Sequence, residues 1–431
     1  MIQSMSAITI EKIVNHLTTE EFGNIEGDWE CDLDAQMKMN DQSESHEFLG
    51  LHKENGKWMA SHYVGHVWIK TGEVSLKVLP KSKNIAFINM FLKCIEHPVV
   101  ERNMDNCFFL WPEKSALPAD ESTLIDPFII ARFLKLLYEL SRRFIRHSFK
   151  HIENNLYCKV KGRVLVHKQI RENLVRLKPY KTVCQYQKFS MDTLENQILK
   201  CALWQCLKYL SRFPHPKLQQ WASYCRNVFE PVSLRRIFPS EFGEAKIKSK
   251  GFYRVYLEPL KSAEMVLRRF GMDPFGEEKN TTPPYAIDMN ELFERYCEVL
   301  LRNSYGDGVW AGYKNRNLGG NFKVRPDFLL KGEIKFIIDS KYKYDWNFNN
   351  SSDVYQVVSY SRHKSVLEKL ELNDKDSGKP GGIVILYPDE NGYEEIDCEI
   401  FLHSKDLTCC IDDFQVAVCK YPVKLPSKSA Y

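Results

Sequence analysis

The sequence contains no C-x-x-C pair, although it carries thirteen cysteines in 431 residues. The nearest pairs are Cys201/Cys206 and the adjacent Cys409-Cys410, spacings that suit neither a zinc ribbon nor a disulfide framework. The cysteines therefore read as reduced, mostly buried thiols. No apolar run has the length of a membrane span: the longest, such as Pro127 to Leu140, is broken by Arg132 and Lys135. The opening MIQSMSAITIEKIV has neither a basic n-region nor a small-residue cleavage site, so the expected setting is cytoplasmic, without membrane contact. A P-loop is missing too. Asp376-Ser377-Gly378-Lys379 runs into Pro380 and lacks both the upstream glycine and the downstream Ser/Thr. There is no dinucleotide fingerprint, zincin motif or nucleophile elbow. Any energy-driven step must come from a second protein.

What is present is an ordinary folded composition, 44% hydrophobic and 27% charged, long enough for two or three domains. The net charge is only +4, but it is unevenly placed. Between Arg142 and Lys181 stand twelve Lys and Arg against Glu153 and Glu172 alone, so the rest of the chain is net acidic. Such a stretch can neutralise phosphates and release counterions, or face an acidic protein surface.

Three regions follow from patterning. Residues 1–120 hold short alternating runs (Tyr63 to Lys70, Val74 to Leu79) around turn signals, read as an antiparallel β domain. Residues 121–273 are mainly helical, with a core helix from about Asp126 to His147 and alternating strands at Asn154–Val166 and Thr182–Phe189. Asp192 and Glu195 read as a capping box for the next helix. The composition change PFGEEKNTTPP opens a last domain, 274–431. There Asp288 and Glu291 form another capping box, and Leu292, Phe293, Tyr296, Val299 and Leu300 make one apolar stripe. Glu291, Glu294 and Glu298 lie off that stripe.

The chemistry concentrates in FKVRPDFLLKGEIKFIIDSKYKY, Phe322 to Tyr344. Two apolar strands are joined by a tight turn at Lys331-Gly332-Glu333, and against them stand Asp327, Asp339 and Lys341. Side chains alternate along a strand, so Asp339 and Lys341 share a face, and a hairpin register brings Asp327 beside them. Two carboxylates suit a hard Mg²⁺, and a lysine two residues on can orient an attacking water or steady phosphate oxygens. That set points to phosphodiester hydrolysis.

Pro326-Asp327 with Asp339-Ser340-Lys341 resembles the signature of the PD-(D/E)xK nuclease superfamily. VRPDFLL and FIIDSKYKYD are similar to the McrC family, nuclease subunits of the McrBC modified-cytosine restriction system. So are HYVGHVWIKTGEVSLKVLPK, KGRVLVHKQIREN and CQYQKFSMDTLENQILKCAL, in the family's order. The resemblance implies a multidomain α+β and α/β chain ending in a restriction-endonuclease-like domain with a central mixed sheet, its elements in the order α-β-β-β-α-β. It implies Asp327, Asp339 and the Ser340 carbonyl as Mg²⁺ ligands, Lys341 positioning the water, and Glu294 as the helix carboxylate that supports the metal. Asp353 to Ser361 would border the site, with Gln356 and Tyr360 on one face. The implied partners are double-stranded DNA and an McrB-like AAA+ GTPase hexamer docked on the N-terminal sheet, with two complexes needed for a double-strand break. Two other readings stay open: a stand-alone nuclease of a repair or transposition system, and a mainly regulatory, GTPase-stimulating subunit.

Overall fold

The computed structural model describes residues 15–25, 52–54, 57–70, 73–81, 87–110, 126–249, 251–275, 284–312, 324–344, 346, 349, 351–372, 380–397, 410–411 and 416–426. The expected polar loop Asn40–Ser45, the start of the motif-bearing segment at Phe322 and the Asp376–Lys379 decoy lie outside these residues. The protein is a mixed α/β chain divided into two compact units, Met1–Ser115 with Pro284–Tyr431, and Ala116–Pro283.

This division differs from three consecutive domains. The first and last expected regions build one unit because Tyr285–Asp288 is a strand of the N-terminal sheet, paired antiparallel with Tyr63–Lys70 on one side and Phe108–Leu110 on the other. Asn15–Glu20 and Val74–Leu79 complete that sheet, and they run parallel to each other, so it is mixed rather than antiparallel. Gly65 makes the central pairing possible: a Cβ there would sit 2.2 Å from the Tyr285 carbonyl oxygen and 2.8 Å from Ala286 Cα. Ala60, Val67, Ile69, Leu76, Val78 and Ala286 pack on one side as its core.

The second sheet of this unit has six strands in the order Val309–Ala311, Phe328–Leu330, Phe336–Ser340, Gly382–Asp389, Val418–Lys424, Cys410–Ile411. The hairpin Phe328–Leu330 and Phe336–Ser340 pairs Phe328 with Ile338 and Leu330 with Phe336. Gly382–Asp389 then runs parallel to Phe336–Ser340, reached through the helix Ser351–Tyr360. A parallel neighbour requires such a crossover. Leu329, Ile337, Ile383, Ile385 and Val418 pack against Val354, Val357 and Val358 of that helix, so the strands are covered and read as continuous apolar runs.

The helix Met289–Tyr305 begins where the Tyr285–Asp288 strand ends. Asp288 caps it, accepting from Glu291 N at 3.0 Å. The other half of the expected box is replaced, because the Glu291 carboxylate pairs with Arg295 at 3.2 Å.

The second unit packs the helices Asp126–Arg143, Leu194–Arg212, Pro216–Val228, Pro239–Lys248 and Leu257–Phe270, tied by a buried Arg269–Asp126 pair at 2.7 Å. The capping box expected from Asp192 sits one residue later: Thr193 is the N-cap and accepts from Asn196 N. Asp192 instead holds Lys150, Gln197 and Ser233, and Glu195 binds Arg146 at 2.9 Å. The basic stretch contributes to a small three-stranded sheet in which Lys181–Ser190 lies between Ser148–Tyr157 and Arg163–Val164, with Phe149, Tyr157 and Phe189 exposed.

Among the described residues no helix is long and apolar enough to cross a membrane. Seven described cysteines are free and buried, and Cys158 is free and exposed. Cys419 departs from the expected reduced state: it is disulfide-bonded.

Candidate active site

The hairpin turns Asp327 and Asp339 toward each other at its open end. Asp327 Oδ2 accepts both the Ser340 backbone N–H and the Ser340 hydroxyl at 2.7 Å, which locks the end of one strand against the other. Asp339 is buried, and Lys341 Nζ lies 2.7 Å from its Oδ2. The contact is an ion pair without hydrogen-bond alignment, so Oδ2 remains a buried oxygen without an aligned donor. Lys341 in turn donates to Gln356 Oε1 at 3.1 Å, and Gln356 Nε2 donates to the Tyr360 hydroxyl at 2.8 Å. The expected face of the Ser351–Tyr360 helix is thus joined to the strand end by a continuous chain of polar contacts.

These side chains line one cavity of about 690 Å³, which Glu294 also reaches from the Met289–Tyr305 helix. All the residues singled out in the sequence for this site (Asp327, Asp339, Ser340, Lys341, Glu294, Gln356 and Tyr360) therefore come together. Glu294 does so in an unexpected setting. The three glutamates that lie off the apolar stripe are buried around Arg295, which is itself 1% exposed. Arg295 contacts Glu291 at 3.2 Å, Glu298 at 2.8 Å and Glu294 through a short ion pair. Arg302 adds a second contact to Glu298 at 2.8 Å. Arginine is suited to this because its planar fork presents several donors at once.

The electrostatics of the cavity favour a cation. Burial raises the Asp339 pKa to about 7, the Asp327 charge adds to that, and Lys341 opposes it. Burial and then the same Asp327 charge push Glu294 well above the glutamate range against the pull of Arg295. Burial works against the Lys341 ammonium, but Asp339, Asp327 and Asp353 outweigh it and hold its pKa above the ordinary lysine value. Tyr360 is raised to about 12, by burial first and then by Asp339 and Asp327. Carboxylates that repel one another in a buried site are eased by protons or by a metal. Among the described residues no three His, Cys, Asp or Glu side chains already stand as a ready metal cluster. The donor set nevertheless fits a hard divalent cation, because it is all oxygen and includes the unaligned Asp339 Oδ2, beside which the Lys341 ammonium stands.

Several lining residues were not legible in the sequence. Arg325, Tyr342 and Lys343 flank the motif, and Asn290 precedes Glu294 by one helical turn, so a search at i−4 could have found it. Phe22 and His62 come from turns flanking the N-terminal strands, and the shared unit brings them to this cavity. Asp353 supports the site from outside it, accepting from Lys343 Nζ at 2.8 Å and Trp346 Nε1 at 2.9 Å. Burial alone would raise its pKa, but these donors bring it below the usual carboxylate value.

Comparison with known proteins adds a family. A family model described as McrBC 5-methylcytosine restriction system component matches residues 59–370. Among solved structures, the chain is similar to one from a refined half-complex of a tetradecameric assembly of Thermococcus gammatolerans McrB AAA+ hexamers with bound McrC. That likeness has 17% identity and a TM-score of 0.43, covering 95% of this chain and 94% of the other. A second likeness, to the cryo-EM structure of the Thermococcus gammatolerans McrBC complex, has 19% identity and a TM-score of 0.31, covering 70% and 90%. No curated protein matches the chain.

Proposed function

The chain belongs to the McrBC family of 5-methylcytosine restriction system components, and on that premise we propose that it is the McrC-like subunit that cuts DNA. The observation that carries this reading is the meeting of Asp327, Asp339, Lys341 and Gln356 in one cavity at the end of an apolar hairpin. We assign the domain around it to the PD-(D/E)xK nuclease fold, with double-stranded DNA as substrate. The energy-driven step falls to an McrB-like AAA+ GTPase hexamer, whose contacts we place on the 1–120 segment. The basic 142–181 stretch would meet either that ring or DNA.

Asp327 and Asp339, with the Ser340 carbonyl and Glu294, would hold Mg²⁺, which supplies an acidified water and neutralises phosphate charge. Lys341, kept charged by Asp339, orients the attacking water and steadies a phosphate oxygen. Gln356 fixes the Lys341 ammonium from the other side, and Tyr360 fixes Gln356. Glu294 can share its charge with the site only by loosening its pair with Arg295. One such cavity cuts one strand, so a double-strand break takes two complexes.

Cutting of a methylated plasmid with Mg²⁺ tests the assignment. The full-length chain should cut only when the partner GTPase and GTP are both present. Equal cutting by the chain alone would favour a stand-alone nuclease, and no cutting under any condition would leave a regulatory subunit.

Proton competition gives a second expected result. An acid whose folded pKa is raised, as Asp339 is from 3.8 to about 7, loses stability as pH rises from the unfolded value to the folded one. Mg²⁺ should reverse that loss. Its stabilisation in thermal melts should be greatest above pH 7, and its apparent affinity should fall about tenfold per pH unit below that. A Mg²⁺ response that is flat from pH 5 to 8 would contradict Asp339 as a ligand.

A further inference from the structure

The turn after the first strand holds an aromatic ring in a place that packing does not explain. Gly23 N donates to the Glu20 carbonyl at 2.9 Å, Phe22 N donates to the Ser61 carbonyl at 3.2 Å, and the Thr19 hydroxyl donates to the Asn24 carbonyl at 2.9 Å. Within it Phe22 has φ +58°, the left-handed region that bulky L-residues avoid. Glycine would escape that cost, yet the turn uses its glycine next door. At position 23 a Cβ would meet Thr19 Oγ1 at 2.7 Å and the Glu20 carbonyl oxygen at 2.8 Å. The Phe22 ring is 42% exposed and lines the same cavity as Asp339 and Lys341.

Glu21 anchors the turn. It is 2% exposed, and its Oε2 accepts from Lys81 N at 3.0 Å and from the Tyr342 hydroxyl at 3.3 Å. Tyr342 follows Lys341 directly, so the N-terminal turn is tied to the end of the strand that carries the site. Backbone strain kept in place by several bonds is characteristic of functional positions. The neighbours show what the ring would meet. Lys341, Lys343 and Arg325 line the cavity with positive charge suited to phosphates, while the ring offers an apolar face at the same mouth.

We propose that Phe22 stacks on a base of the DNA strand beside the scissile phosphodiester, with Glu21 as the residue that positions it. The proposal rests on the nuclease reading above and adds the element that would grip the substrate there. Stacking tolerates any base, so Phe22 would fix the strand's position without reading sequence.

The test uses the full-length chain with its GTPase partner and GTP, and duplexes carrying 2-aminopurine at successive positions around the cut, with Ca²⁺ replacing Mg²⁺ for binding. Wild type should quench one position. Phe22→Ala and Phe22→Leu should abolish that quench and weaken binding about ten- to one hundredfold, whereas Phe22→Trp should preserve both. Phe22→Gly relieves the positive φ, so it should melt no lower than wild type while binding as poorly as Phe22→Ala. Glu21→Gln, which keeps an acceptor for Tyr342, should retain the quench that Glu21→Ala loses. Wild-type binding by Phe22→Leu, or wild-type binding and cutting by Phe22→Gly, would overturn stacking while Asp339→Ala still abolishes cutting. If Asp339→Ala cuts like wild type, or wild type has no affinity for DNA, the nuclease reading fails and the stacking proposal falls with it.

Discussion

Replacing Asp339 by alanine should lower single-turnover cutting by about a thousandfold or more, the scale expected when a metal ligand and its charge are removed from a reacting centre. The same variant should still stimulate GTP hydrolysis by the partner. The argument has two parts. Asp339 is buried at the end of Phe336–Ser340, so its removal takes away a carboxylate ligand together with the ion pair to Lys341. It is also the nearest anion to Lys341, whose ammonium is otherwise disfavoured by burial, so the lysine pKa should fall in the variant. The fold should not suffer. A carboxyl whose pKa is raised to about 7 destabilises the folded chain once ionised, so at pH 8 without Mg²⁺ the variant should melt at or above the wild-type temperature. Rates from quenched plasmid cutting, set beside melting curves, check both halves. Equal cutting would make Asp339 structural, and a collapsed fold would mean that its pairing with Lys341 outweighs its burial.

The largest effect on stability is expected from Arg295→Met. Methionine fills much of the same volume but leaves Glu291, Glu294 and Glu298 buried without their shared cation, and only Glu298 keeps Arg302. Removing one partner of a buried ionic cluster costs about 3–5 kcal/mol. The deficit should depend on pH in a definite direction. With Arg295 gone the Glu294 pKa, already raised by burial, rises further, so the loss is greatest where that carboxyl must ionise and shrinks as it takes up a proton. Urea unfolding at pH 8 and pH 5 should therefore show the smaller difference from wild type at pH 5. A loss that is the same at both pH values would mean that packing, not charge, is what Arg295 contributes.

Much of this site could be read from residues close together in the chain. Asp327, Asp339 and Lys341 stand on two short apolar strands joined by a tight turn, and strand alternation alone puts them at one end. Asp288 marks the start of its helix, and the apolar stripe through Leu292, Tyr296 and Val299 identifies one face of a helix that is buried nearly all round over residues 289–301. The opposite side of this helix leaves no periodic signal, because its row of glutamates is buried by virtue of a single arginine that holds all of them from within the helix. Asp192 was read one residue off as a cap because its neighbour Thr193 is an equally good one and Asp192 had distant partners to satisfy. Phe22 and His62 could not be found at all. Their place depends on pairing between strands more than two hundred residues apart, which leaves no local pattern.

That long-range pairing bears on how the protein is made. Tyr285–Asp288 fills the gap between Tyr63–Lys70 and Phe108–Leu110, so the N-terminal sheet is missing an inner strand until the ribosome has passed residue 288. The unit Ala116–Pro283 precedes that strand in the chain and contains its own core. Folding that follows synthesis would thus finish the inserted unit first and close the cutting cavity last. On the nuclease reading proposed above, a chain interrupted before residue 288 would carry no assembled hydrolytic centre and so could not cut the cell's own chromosome.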